Sequence, residues 1–176
     1  MKRKIAILGS TGSIGKTLLN LISKEKKIFE VQLLTANKDY KTLLYQAKKF
    51  KVKNLIITNQ ESYKLLKVKT KNLNIKVFNN FEKLDKIFKL KADYVMSSIV
   101  GIVGLAPTIK IIKFTKKIAI ANKESIICGW NLIKKELKKN KTEFIPVDSE
   151  HFSLWFGLQN LKLKSIEKIF ITASGG

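Results

Sequence analysis

Lys4-Ile5-Ala6-Ile7-Leu8-Gly9-Ser10-Thr11-Gly12-Ser13-Ile14-Gly15 decides how the rest of this chain is read. The run ending at Leu8 is apolar and of strand length. Ile14, Leu18, Leu21 and Ile22 then recur at helical spacing. Between them lie three glycines in a G-x-x-G-x-x-G pattern, a variant of the G-x-G-x-x-G dinucleotide fingerprint. Glycine there allows a tight turn and close backbone approach, and a helix N-terminus offers N–H groups to a phosphate. Lys16-Thr17 follows Gly15, but the first glycine is misplaced for the loop of nucleotide triphosphatases. A strand before and a helix after favour dinucleotide binding over a turn that only reverses the chain.

Outward from this turn the pattern repeats. Strands are predicted at residues 31–34, 54–57, 75–78, 93–96, 117–120 and 143–147, with helices at 40–50, 61–68, 81–88, 105–114 and 123–139. Leu43, Leu44 and Ala47 mark the inward face of the 40–50 helix. This alternation implies α/β architecture: a Rossmann-like, doubly wound, mostly parallel sheet. The expected division is a dinucleotide-binding domain at 1–146 and a change of character over 147–176. In the latter, 151–158 reads as helix and 165–172 as a strand stopping at Ala173-Ser174-Gly175-Gly176, an ending that looks cut.

Composition narrows the function classes. The 176 residues are 45% hydrophobic, too apolar for a disordered basic tail. One cysteine, Cys128, excludes a disulfide framework and fits a reducing cytosol. No apolar run approaches the ~18 residues of a membrane helix, and the apolar start ends at Gly9, short for a signal peptide. The net charge is +22, with 35 basic residues, all lysine except Arg3. The lysines are scattered through every segment, and arginine, the tool for bidentate contacts to guanine, is nearly absent. That distribution favours solvated lysine-rich faces over a specific nucleic-acid reader, with weak polyanion binding expected.

Three further clusters carry chemistry. Asn37-Lys38-Asp39 follows the second strand, where an NAD-selecting acid usually sits; Lys38 could pair with a 2′-phosphate, and Asp39 could cap the next helix. Ala121-Asn122-Lys123-Glu124-Ser125 stands at a strand-to-helix junction on the carboxyl edge. Its side chains suit a sugar or phosphate, and equally helix capping with Asn122 as N-cap. Asp148-Ser149-Glu150-His151 places two carboxylates two residues apart, on one side of an extended segment, where they suit Mg²⁺ or Mn²⁺ better than an acidic cap. His151 is the sole histidine, which excludes a His-based zinc site.

Together these motifs resemble the 1-deoxy-D-xylulose 5-phosphate reductoisomerases, NADPH-dependent enzymes of non-mevalonate isoprenoid synthesis. The likeness runs in order through Ile7 to Gly15, Ile99-Val100-Gly101, Ala121 to Ser125, Pro146 to His151 and Ala173 to Gly176. The resemblance implies that Thr11, Gly12, Ser13 and Ile14 hold the NADPH pyrophosphate and that Asn37, Lys38 and Asp39 surround the 2′-phosphate. The family often has Gly and Asn where this chain has Asn37 and Asp39. Asn122 and Glu124 would line the cofactor. Lys123 and Glu150 would be catalytic, and Lys123, Ser149, Glu150 and Ser174 would meet the phosphosugar substrate. Asp148 and Glu150 would bind Mg²⁺ or Mn²⁺. The reaction implied is isomerisation and reduction of 1-deoxy-D-xylulose 5-phosphate to 2-C-methyl-D-erythritol 4-phosphate, in a cytoplasmic homodimer when full length, with no membrane or specific nucleic acid. The resemblance also implies that 147–176 is the beginning of an α+β catalytic, metal-binding domain; family members are longer, so the chain is expected to be an N-terminal fragment. The competing expectation is a non-catalytic basic Rossmann-like module that binds polyanions.

Overall fold

A computed structural model describes residues 2–147, 149–161 and 163–170; the side chains of Ser149 and Leu163 also lie outside the description. Among the described residues the strands are β1 (Arg3–Leu8), β2 (Phe29–Ala36), β3 (Asn54–Ile57), β4 (Lys76–Phe78), β5 (Tyr94–Ser97), β6 (Lys117–Ile120) and β7 (Glu143–Pro146). The helices between and after them are α1 (Ser13–Lys24), α2 (Tyr40–Phe50), α3 (Gln60–Lys69), α4 (Leu84–Ile87), α5 (Leu105–Ile112), α6 (Lys123–Asn140) and α7 (Ser149–Gly157). The strands form one sheet in the order β4-β3-β2-β1-β5-β6-β7, every neighbouring pair parallel. From β1 the chain winds outward to β4, then returns to lay β5 on the other side of β1. All strand carboxyl ends therefore share one edge, and the winding reverses between β1 and β5, where open α/β sheets bind their ligands.

Both faces are covered, so the strands read as continuous apolar runs. Ala6 and Leu8 face a layer built with α4, α5 and α6, through Leu84, Ile111, Ile112, Ile133 and Leu137. Ile5 and Ile7 face Leu19 and Ile22 of α1, Leu43 and Ala47 of α2, and Leu66 of α3. Val31 and Leu34 lie three apart yet share this second face, which a regular strand forbids. A bulge resolves it: Ile5 pairs with Val31 but Ala6 with Leu33, so Gln32 is the extra residue. Fully buried side chains such as Ile7, Leu33, Leu55 and Ile56 each contribute about 2 kcal/mol by leaving water.

The sequence reading is corrected in four places. On α1 the buried positions are Gly15, Leu19 and Ile22, while Ile14 is 40% and Leu21 55% exposed, because Gly15 brings the helix against the preceding turn. The 81–88 helix shrinks to α4: Asn80 accepts a hydrogen bond from the Glu82 amide in a turn, and Phe88 is extended. The 105–114 helix ends at Ile112, with Ile102–Gly104 as a preceding 3₁₀ turn. The strand expected at 165–172 is absent over its described part. Leu163–Ser165 is a 3₁₀ turn, and 166–170 has no ladder partner, leaving Phe170 85% exposed. Residues 171–172 lie outside the described residues.

Helices α2 and α6 both end on a lysine in the left-handed conformation, Lys51 at φ 54° and Lys141 at φ 51°. That conformation costs a side-chain-bearing residue roughly 1–2 kcal/mol, and glycine is its usual occupant. Lys51→Gly and Lys141→Gly should each stabilise the fold by about 1 kcal/mol, less the glycine's greater freedom when unfolded. Urea melts check this, and an unchanged or lower midpoint counts against it.

Candidate functional site

The 9–15 turn emerges from β1 at the reversal point. Gly9 has φ 80°, and a Cβ there would stand 2.7 Å from the Ser98 carbonyl oxygen after β5. A Cβ on Gly15 would stand 2.5 Å from the Ser10 Cα. Both obstacles are backbone and cannot swing aside, so glycine is required at each. The Gly9 amide donates to Thr35 Oγ1 (2.9 Å) and the Ser10 amide to the Thr35 carbonyl (2.8 Å). Ser10 Oγ donates to Gln46 Oε1, and Gln46 Nε2 returns a bond to the Ser10 carbonyl, both 2.8 Å. On the other side Ser98 Oγ donates to the Leu8 carbonyl (2.8 Å).

Sequence reasoning singled out the glycines but missed Thr35, Gln46 and Ser98. A polar Gln46 on the apolar face between Leu43 and Ala47 was the available signal.

What the turn presents is a bare helix start. Asp39 caps α2, Asn59 caps α3 and Asn122 caps α6, each accepting from a backbone amide. At α1 the N-cap is Gly12, and no side chain caps it. A Cβ on Gly12 would meet only the Gly9 carbonyl, at 3.5 Å, so that side is open. Thr11 is half-buried, and Gly12, Ser13 and Ile14 are exposed around it. Uncapped first-turn amides and the positive end of the helix dipole suit an anion such as a pyrophosphate.

Beyond β2, Asn37 is held sideways: its carboxamide donates to Thr58 Oγ1 (2.8 Å), and its carbonyl accepts from the Asn59 amide (3.0 Å). Asp39 accepts from the Thr42 amide (3.0 Å). Burial pushes the Asp39 carboxyl up, but hydrogen bonds from Thr42 and the fields of Lys16 and Lys41 outweigh it. It titrates below the ordinary carboxylate range. Asp39 is therefore an ionised cap flanked by lysines, and Lys38 projects beside it into solvent.

On the far side of the reversal, Asn122 is 3% exposed. Its Oδ1 accepts from the Ser125 amide (2.8 Å), and its Nδ2 donates to the Ile99 carbonyl and to the Gly101 carbonyl (2.6 Å). The carboxamide thus caps α6 and holds the 99–101 loop. Of the two roles open for it, capping is the one its side chain performs. Lys123 and Glu124 are exposed on the first turn of α6. Ser125 Oγ is buried without a hydrogen-bond partner among the described residues.

Of the expected metal ligands, Asp148 lies outside the described residues, as do the Ser149 side chain and Ser174. Glu150 is exposed in the first turn of α7, so the two-apart, extended-strand argument for its direction does not apply: the backbone is already helical from Ser149. Among the described residues no three of His, Cys, Asp and Glu cluster as a metal site would require. A groove of about 740 Å³ lies at the opposite end of the sheet, along Arg3, Leu18, Phe29, Tyr94 and Lys116, and a recess of about 420 Å³ lies beside Leu84 and Ile109. No described helix is long and apolar enough to cross a membrane.

The sequence profile of 1-deoxy-D-xylulose 5-phosphate reductoisomerase matches residues 5–129. The enzyme of that name from Pelagibacter ubique is 60% identical over 176 residues, covering 99% of this chain and 45% of that protein. The Zymomonas mobilis reductoisomerase, solved in complex with NADPH, superposes with a TM-score of 0.78 at 33% identity, over 85% of this chain and 40% of that one. A reductoisomerase solved with NADPH, fosmidomycin and magnesium gives 0.77 at 32%, over 85% and 37%. The chain thus spans less than half the length of the relatives it matches. On the profile match and the Pelagibacter identity, this chain belongs to the 1-deoxy-D-xylulose 5-phosphate reductoisomerase family.

Proposed function

We propose that residues 1–146 form the NADPH-binding domain of a 1-deoxy-D-xylulose 5-phosphate reductoisomerase and that 147–176 begin its catalytic, metal-binding domain. The observation that carries this reading is the uncapped glycine turn at the sheet's reversal point, on a chain of this family. Relatives of the same fold were solved with NADPH and with magnesium, which supports both groups as cofactors here. The substrate is the phosphosugar 1-deoxy-D-xylulose 5-phosphate and the product 2-C-methyl-D-erythritol 4-phosphate. The isomerase step, manganese as an alternative to magnesium, a cytoplasmic location and a homodimeric whole protein belong to the same reading.

The chain's residues divide the work. The amides of Thr11, Ser13 and Ile14 receive the pyrophosphate without a competing cap, while Gly12, whose own amide donates to the Gly9 carbonyl (3.2 Å), leaves the approach open. Lys38 supplies a cation for the 2′-phosphate, while Asp39 turns one carboxylate oxygen onto the Thr42 amide as the cap of α2. Asn122 fixes the 99–101 loop, and with it the wall of the cofactor cleft beyond β5. Lys123 and Glu124, exposed on the first turn of α6, would meet the substrate and the cofactor respectively, with Lys123 orienting the anionic substrate. Asp148, Ser149 and Glu150 are hard oxygen donors suited to Mg²⁺, and Ser149, Glu150 and Ser174 complete the substrate contacts. When bound, the metal polarises substrate oxygens and NADPH supplies hydride.

Titrating the chain with both nucleotides tests the cofactor reading. NADPH should bind more tightly than NADH, and Lys38→Ala should weaken NADPH by about 1 kcal/mol while leaving NADH nearly unchanged. Equal binding of the two nucleotides would sink it. For the metal, Glu150→Gln and Asp148→Asn should each weaken Mn²⁺ binding at least several-fold, measured by water-proton relaxation; parent-like affinity in both variants would refute the assignment. Any DNA binding should lack sequence preference and fade steeply between ~50 and ~200 mM salt, whereas a sequence-selective complex that survives physiological salt would show that the charge serves a nucleic-acid role.

A further inference from the structure

We propose that Gln46 is a positioning residue for the dinucleotide, tying the glycine turn to α2, whose N-terminus follows Lys38, so that one ligand meets both. This rests on the NADPH reading above. Gln46 lies on α2, 5% exposed, among apolar neighbours of the α1–α3 layer. It spends its whole carboxamide on one residue, Ser10, thirty-six positions earlier: Nε2 donates to the Ser10 carbonyl and Oε1 accepts from Ser10 Oγ, each at 2.8 Å. Two bonds to one residue fix both the distance and the rotation of the Ser10 peptide relative to α2.

The other end of the same rigid helix sets the second contact. Asp39 begins α2 about two turns before Gln46, and its carboxylate pins the N-terminus through Thr42. Lys38 is the adjacent residue, so α2 and Gln46 are one of two routes that fix its distance from the 9–15 turn. Thr35 gives a second tie from β2, through the Gly9 and Ser10 amides. It holds the turn against the strand but not against α2. Packing alone does not require a glutamine here. An apolar side chain of similar volume would fill the site, and Ser10 Oγ has the Thr35 carbonyl at 3.3 Å as an alternative acceptor, although the Ser10 carbonyl would lose the donor that Nε2 supplies. The glutamine is the group that ties turn to helix.

The test compares one ligand spanning both contacts with fragments that reach only one. NADPH spans them, adenosine 2′-monophosphate reaches the Lys38 end, and inorganic pyrophosphate reaches the turn. Affinities are read by NMR shift titration for the parent chain, Gln46→Met, Ser10→Ala and the double variant. In Gln46→Met, NADPH should weaken at least tenfold while both fragments stay within twofold of the parent. Ser10→Ala, which keeps the Nε2 bond to the Ser10 carbonyl, should weaken NADPH about threefold, and the double variant should be no worse than Gln46→Met. NADPH affinity within twofold of the parent in Gln46→Met overturns the proposal. So does a parallel loss for NADPH and both fragments, the mark of a merely structural role. If Gln46→Met does not fold, Ser10→Ala decides alone, and a parent-like NADPH affinity there overturns it. Failure of the parent itself to bind NADPH is a distinct result, which refutes the dinucleotide reading and this inference with it.

Discussion

The contact on which the carboxyl edge depends is Gly15 lying against the backbone of Ser10. A Cβ would sit 2.5 Å from Ser10 Cα, so the helix reaches this depth only because residue 15 has no side chain. That approach rotates α1, turning Leu19 and Ile22 into the core and leaving Ile14 and Leu21 in water. It also leaves the first turn of α1 over the reversal between β1 and β5, with Gly12 where a capping side chain would otherwise stand. Gly9 makes the matching approach on the β5 side, under the Ser98 carbonyl. Core packing, helix orientation and the exposed amides thus follow from one close contact.

Around that contact the chain treats its helix starts differently. Every strand points the same way, so the N-termini of α1, α2, α3 and α6 all gather at one edge, each with the positive end of its dipole. Three of these are answered internally, by Asp39, Asn59 and Asn122. The fourth has no side-chain cap, and the net charge of +22 raises the potential that any anion meets there. The lysines contribute attraction rather than selectivity. Such ion pairs as Lys117–Glu143 and Lys116–Asp93 are solvent-facing, where each is worth little. Asp93 titrates low because Lys116 and the Lys4 amide donate to it, a local effect at the opposite end of β5.

Much of the plan was legible in residue order. A strand-length apolar run, three spaced glycines and alternating strands and helices specify a parallel sheet with a close-packed glycine turn after β1, because close approach and period are local properties. Asp39 and Asn122 were readable as caps for the same reason: a cap is made within three residues. The 81–88 and 165–172 segments were misread because length and apolarity cannot say whether a turn interrupts a helix or whether a strand has a neighbour to pair with.

By itself, then, the sequence determined the order of elements, the position of the glycine turn and the family, since these are written in local spacing and in motifs. Tertiary structure decided what joins them. It brought Gln46 to Ser10 and Thr35 to Gly9 across 36 and 26 residues, and placed the Asn122 amide under the 99–101 loop. It also moved the buried stripe of α1 from Ile14 and Leu21 to Gly15 and Leu19. Hydrogen bonds between distant segments and the rotation of a helix about its axis depend on which surfaces meet. No local pattern of residues encodes that meeting until the sheet has assembled.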